Sequence, residues 1–577
     1  MPKISRRILV TGAVSAGISA IIADGKSTMA VAAEAVSDVD VTVSDLSGAV
    51  KTAGLNYSNV EQQQMLALVT VATKQISANR QIVLDVDLSP AFLFDPLVAG
   101  ANLPAGKSSC TISAQVSGAA INRKYHAGNI EELAFKSVVA LSRLIKERMV
   151  SCEDLTRMYL ARLKRYGPRL LCVVNLMEES ALSHAKELDR EIANGNYRGP
   201  LHGIPWGAKD LLATRGTPTT WGAKPYEHQI FDYDATVVER LTRAGAILVA
   251  KLSMGELAMG DVWFAGKTRN PWNPEHGSSG SSAGPGSATA AGLVGFAIGT
   301  ETLGSIVSPC VVNGVTGLRP TYGRVSRYGA MALSWTMDKI GPMCRSVEDC
   351  ALVLAAIQGA DGKDRTVVDV PFRWSPRSSI SGLRFGYDEE AIDSGGGNPS
   401  LIPIYKEALS QLKKTGVSLQ PVKLPDRRDE YESIAEITIN VEGAAAFSEL
   451  NRSGGLALLA QQGNNSWPNI FRAGSITPAA DYLNASRLRY RLQLDMDRAL
   501  KGIDGYVTVP FAGPTLVYTN LTGHPTLITR CGLHNGLPIA LEIVGALHNE
   551  SAILRLGHAF EAATQWHTQW PDVSRIV

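Results

Sequence analysis

The sequence is short of the signals that mark a bound metal, a nucleic-acid partner or a disulfide framework. Its seven cysteines, Cys110, Cys152, Cys172, Cys310, Cys344, Cys350 and Cys531, are scattered and form no Cys-x-x-Cys pair, and there is no His-Glu-x-x-His. The spacings that commonly hold zinc are missing, so no metal is expected. An odd number of dispersed cysteines fits buried small apolar residues better than a set of bridges. Charge is nearly balanced, with 56 Lys and Arg against 54 Asp and Glu, and no long basic run stands out, so no nucleic-acid partner is expected. No apolar run reaches the ~20 residues of a spanning helix. What remains is ordinary globular composition, 45% apolar and 19% charged over 577 residues, enough for one large core.

The first residues do carry an address. Lys3, Arg6 and Arg7 precede an apolar stretch of 16 residues, Ile8 to Ala23, which is short for a span and suits a signal-peptide core. Ser5-Arg6-Arg7-Ile8-Leu9 resembles a twin-arginine export signal, and small-x-small cleavage sites lie around Ala30-Val31-Ala32. Residues 1–32 are expected to be an export signal that sends the folded protein to the periplasm, with no membrane contact beyond that step. Residues 33–118 are expected to form a tether, polar and small over 36–55, and a helical appendage. Its helix opens on the capping box Ser58-Asn59-Val60-Glu61 and continues through Met65, Leu66, Leu68, Val69 and Ala72.

The main domain is expected over 119–577. Leu133, Leu141, Leu144 and Ile145, then Leu155, Tyr159, Leu160 and Leu163, recur at helical spacing. Cys172 to Asn175 reads as a strand, Ala181 to Ile192 and Val237 to Ala244 as helices, and Ala246 to Lys251 as a strand. Such alternation predicts an α/β fold. A helical insertion is expected around 361–500, after which strands return at Tyr506 to Val509 and Pro538 to Gly545.

The densest unusual sequence is the Gly/Ser run Gly277 to Ser287. As a phosphate cradle it fails, because no Gly-Lys-[Ser/Thr] closes it. As a linker it fails, because it leads into the apolar segment Ala290 to Ile298, expected to enter a buried strand. Gly280-Ser281-Ser282-Ala283-Gly284 fits the Gly-x-Ser-x-Gly elbow of α/β-hydrolases, with Ser282 as nucleophile. That elbow needs a central strand before it, and Asn270 to His276 holds two prolines.

Three blocks in order resemble the amidase signature family, the amide hydrolases that include fatty acid amide hydrolase and the hydrolytic component of glutamyl-tRNA amidotransferase. They are Gly203-Ile204-Pro205-Trp206-Gly207-Ala208-Lys209-Asp210, the Gly/Ser run, and Gly299-Thr300-Glu301-Thr302-Leu303-Gly304-Ser305-Ile306, followed by Gly314 to Gly323. The resemblance covers about 130–360 strongly and 500–565 weakly. It implies a central mixed β-sheet covered by helices on both faces, a small-molecule amide substrate, and no cofactor. It also implies roles: Ser305 as nucleophile, Ser281 as relay, Lys209 as terminal base, and the backbone N–H groups of Thr302, Leu303, Gly304 and Ser305 as oxyanion hole. The 24 residues from Ser281 to Ser305 match the family's interval, which Ser279 and Ser282 do not. A cis peptide before Ser281 is implied as well.

The chemistry asks for these residue types. A serine hydroxyl is a weak nucleophile without a base, and a lysine is a base only when burial or a neighbouring cation keeps it neutral. Two departures from the family pattern bear on the site. Leu303 stands where a glycine is usual, which strains the chain if φ is positive there. Val307 stands where an arginine is usual, and Arg319 is the candidate to supply the missing charge to Glu301. Trp206, Trp221, Trp263 and Phe264 are candidates either for an acyl pocket or for core. Two other functions share the blocks. One is a component of an amidotransferase that works on misacylated tRNA, against which the export signal argues. The other is a non-catalytic binding protein, against which the three retained residues argue.

Overall fold

The computed structural model describes residues 41–79, 93–113, 125 and 128–576, so the export signal and its cleavage site lie outside the described residues. The chain divides into two compact units, Met1–Val83 and Leu84–Val577.

In the first unit the expected helix is present over Asn59–Asn79, and its capping box forms: Glu61 N–H donates to Ser58 Oγ, and Ser58 N–H donates to the Glu61 carboxylate at 2.7 Å. The tether expected over 36–55 is overturned across most of its described part by a helix at Val43–Thr52. Thr42 and Asp45 make a second capping box there, and Leu46 and Val50 are buried. Ser47 Oγ donates to Gln62 Oε1 at 2.6 Å and ties the two helices.

The second unit is built on one eleven-stranded mixed sheet. Its strands are β1 (Val173–Leu176), β2 (Pro205–Lys209), β3 (Ile247–Leu252), β4 (Phe296–Glu301), β5 (Thr316–Arg319), β6 (Lys339–Cys344), β7 (Arg384–Tyr387), β8 (Ser418–Pro421), β9 (Gly505–Thr508), β10 (Thr526–His534) and β11 (Leu537–Gly545). They lie in the order β8-β7-β9-β11-β10-β5-β6-β4-β2-β3-β1. β2 runs parallel to both β3 and β4, whereas β4, β6, β5, β10, β11 and β9 alternate antiparallel.

Successive strand residues face opposite sides of a sheet. On β10 and β11, Leu527 and Leu541 join one apolar cluster with Ile553 and Leu556 of the helix Glu550–Thr564. Their neighbours Ile528 and Ala540 join another with Val307 and Cys310 of the helix Val307–Asn313. Helices therefore cover both faces, as the resemblance implied. The expected helices and strands of 133–251 are present at Val138–Lys146, Cys152–Leu170, β1, Glu178–Ala193, Thr236–Arg243 and β3.

Two local expectations are corrected, and a third, that no central strand precedes the Gly/Ser run, holds. The segment 361–500 is not only helical: it supplies β7 and β8, which finish one end of the sheet. The Gly/Ser run enters a helix, Ala283–Ala290, before β4 begins at Phe296. Every residue of that helix is buried, and Pro285 sits in its first turn, where a backbone N–H has no intrahelical acceptor to lose. Asn273–Gly277 is a strand despite its proline, but it pairs only with Arg269–Asn270, outside the central sheet.

Candidate active site

Lys209 closes β2 between β3 and β4, and its side chain is fully buried. Its Nζ lies 2.8 Å from Ser281 Oγ, 3.1 Å from Ser282 Oγ and 2.9 Å from Thr300 Oγ1. Burial lowers the ammonium to about 7, against the opposing carboxylates of Asp338 and Glu301. Burial thus brings the amine into the range where it can act as a base near neutral pH, in contact with a hydroxyl whose proton it can take.

Ser281 sits in the turn before the helix Ala283–Ala290, and the Gly280–Ser281 peptide is cis, as the resemblance implied. A Cβ on Gly280 would lie 1.6 Å from the Gly260 carbonyl oxygen, so only glycine fits where these two loops cross. Gly255 N–H donates to the Ser281 carbonyl at 3.2 Å. Ser282 N–H donates to the Ser305 carbonyl at 3.2 Å, which fixes the two serine loops against each other. Lys209 and Ser281 therefore meet through side chains, and Ser305 is brought to them through its backbone. Ser282 is no bystander, as its hydroxyl also accepts from Thr300 N–H at 3.1 Å.

The loop after β4 answers both departures. Leu303 does not have positive φ; Gly304 does, at 91°, so the left-handed position falls on a glycine that this chain keeps. The N–H groups of Leu303, Gly304 and Ser305 have no acceptor among the described residues. Glu301 is fully buried and its Oε2 accepts from Ile306 N–H at 2.8 Å and Val307 N–H at 2.9 Å, which pins the turn that follows Ser305. Its Oε1 accepts from Asn520 Nδ2 at 2.8 Å and from Arg319 Nη1 at 2.5 Å. Arg319 on β5 thus supplies the charge that Val307 does not. Burial would push this carboxyl up, but Arg319, Lys339 and the Val307 N–H together hold it down at about 2.

A cavity opens beside the site, with Thr300, Thr302, Met331, Leu333, Trp335 and Asp338 in its lining. The aromatic candidates do not line it. Trp206 is fully buried, parallel to Phe296 at 6.0 Å, and Trp221 packs with Tyr226 and Phe447. Trp263 and Phe264 pack edge to face at 4.9 Å. All four are packing residues here. Asp338 and Arg327 escape notice in the sequence, since isolated polar residues outside the three blocks carry no spacing signal; Asn520 opens Asn520-Leu521-Thr522-Gly523-His524-Pro525, which also resembles a family element. All seven cysteines are unbridged.

Fold and site together define an α/β amide-hydrolase scaffold with a buried Ser/Lys cluster, and comparison with known proteins agrees. The sequence model of the Amidase family matches residues 154–516. The chain is 33% identical to the A component of glutamyl-tRNA(Gln) amidotransferase from Methylococcus capsulatus, over 76% of this chain and 98% of that one. It is 34% identical to the same-named protein of Roseiflexus sp., over 74% and 95%. Among solved structures, native peptide amidase from Stenotrophomonas maltophilia superposes with a TM-score of 0.69 at 30% identity, covering 75% of this chain and 98% of that one. The chain belongs to the amidase signature family, the enzymes of carboxamide hydrolysis.

Proposed function

We propose that this protein hydrolyses a small carboxylic amide to its acid and ammonia or an amine through an acyl-enzyme on Ser305. The observation that carries this is the buried Lys209 Nζ at 2.8 Å from Ser281 Oγ. Neutral Lys209 takes the Ser281 proton as Ser281 takes that of Ser305, and Ser305 Oγ attacks the carbonyl carbon. The oxyanion is met by the N–H groups of the Thr302–Ser305 loop, donors of a kind that contribute about 3 kcal/mol each. Collapse breaks the C–N bond, and the proton returns through Ser281 to the leaving nitrogen. Water then attacks the ester by the same relay and frees Ser305. No step in this scheme calls for a cofactor or a nucleic acid.

The test uses purified protein with a panel of aliphatic, aromatic and peptide amides, together with a fluorophosphonate probe. Acid release and labelling in the wild type, both lost in Ser305→Ala, are expected; turnover in Ser305→Ala refutes the assignment. We further propose export to the periplasm, supported by Arg6, Arg7 and the apolar stretch to Ala23. A second reading, a component of an amidotransferase, is favoured by the names of the relatives that match over most of their length. Fractionation separates the two: a periplasmic protein active alone supports the first, a cytoplasmic protein co-purifying with partner proteins the second.

A further inference from the structure

We propose that Asp338 is a positioning residue of this site, a carboxylate that clamps Thr302 to the cavity wall; this rests on the hydrolase function proposed above. Asp338 lies one residue before β6, whose Lys339 pairs in register with Glu301 at the end of β4. It therefore stands where β4 gives way to the Thr302–Ser305 loop. Its Oδ1 accepts from Thr302 Oγ1 at 2.6 Å, and its Oδ2 accepts from the N–H groups of Leu333 at 2.8 Å and Ser334 at 3.0 Å.

One oxygen thus serves the nucleophile loop and the other the cavity wall. That wall is held from behind by a second carboxylate, Glu442, which accepts from Ser334 Oγ at 2.7 Å, Thr336 Oγ1 at 2.7 Å and Tyr482 Oη at 2.8 Å. The segment 333–336 is strung between the helical region and the site, and Asp338 is its attachment on the site side.

In Asp338→Asn the carboxamide oxygen retains Leu333 and Ser334 while its Nδ2 donates to Thr302 Oγ1, so the clamp persists; in Asp338→Ala and in Thr302→Val it is lost. Asp338→Ala and Thr302→Val are each expected to lower kcat about tenfold or more as the loop loosens, with KM within about threefold, and Asp338→Asn to restore kcat to within about threefold of wild type. A wild-type kcat in folded Thr302→Val, or an Asp338→Asn no more active than folded Asp338→Ala, overturns the proposal. If neither Asp338 variant folds, Thr302→Val decides alone by the same criterion. Wild-type protein that hydrolyses no amide and takes no fluorophosphonate shows instead that the hydrolase function has failed, and the proposal with it.

Discussion

Replacing Arg319 by methionine removes the cation paired with Glu301 while keeping most of the volume. Both side chains are fully buried and meet at 2.5 Å. The carboxyl is held at about 2 against an ordinary 4.5, which at about 1.4 kcal/mol per pH unit amounts to about 3 kcal/mol of preference for the ionised folded form. That preference is shared among Arg319, Lys339 and the Val307 N–H, and stripping one partner from a buried pair costs about 3–5 kcal/mol, so a loss of about 3 kcal/mol is expected for Arg319→Met. The sign follows from the direction. A group lowered on folding contributes stability that is present above its unfolded value and is lost as pH falls through about 2. Without Arg319, burial dominates and the carboxyl rises, so the variant suffers most where Glu301 must stay ionised. Urea unfolding should therefore show a gap of about 3 kcal/mol between wild type and Arg319→Met at pH 7 that narrows toward pH 4.5. Adding Glu301→Gln should restore part of the loss, because the amide still accepts from Ile306 and Val307 without a buried charge. Since those two bonds pin the turn after Ser305, kcat should drop about a hundredfold in Arg319→Met. A gap under about 0.5 kcal/mol, or one that does not change with pH, refutes the reasoning.

Lys209 at about 7 gives kcat/KM an acid limb in that region, falling tenfold per pH unit below it, and Lys209→Met should show no measurable turnover above background. Because folding lowers this lysine from 10.5, the burden on stability is fullest below about 7 and lifts as pH rises toward 10.5, so Lys209→Met should unfold at higher urea than wild type at pH 7. Ser282→Ala should cost about tenfold in kcat, since Thr300 N–H and Lys209 each lose a partner, without abolishing fluorophosphonate labelling of Ser305; complete loss of labelling would revive Ser282 as the nucleophile. Leu303→Gly should leave kcat within about threefold of wild type, because the left-handed backbone position lies at Gly304 and not at 303; a large gain would contradict that placement.

Much of the site is legible in the sequence because its parts lie in short blocks with fixed intervals. The family's interval selects Ser281 from a run of serines, and Lys209 Nζ lies 2.8 Å from that hydroxyl, with the neighbouring Ser282 hydroxyl at 3.1 Å. The misses have physical causes. Ala283–Ala290 has poor helix formers and a proline, so propensity points elsewhere, yet complete burial of small residues sustains the helix. The helix Val43–Thr52 is announced by Thr42 and Asp45, a cap that a compositional view of a polar stretch passes over. β7 and β8 are four residues each at the end of the sheet, too short for a period-2 pattern to stand out from the surrounding helices.

Leu303 and Val307 show what a family pattern specifies. A glycine two residues before the nucleophile matters only where the backbone is left-handed, and here that demand is carried by Gly304 at φ 91°. An arginine after the nucleophile matters only as a cation within reach of the buried acid. Arg319 meets that need from β5, where Gly317, Leu318 and Arg319 are paired to β10 and the guanidinium is braced by donating to the His524 carbonyl at 2.9 Å. The same cation delivered from a strand is held by the sheet rather than by the Ser305 loop that Glu301 pins. At 303 and 307 this chain departs from the family pattern, while the two physical requirements behind it, one positive φ and one buried opposite charge, are met at 304 and 319.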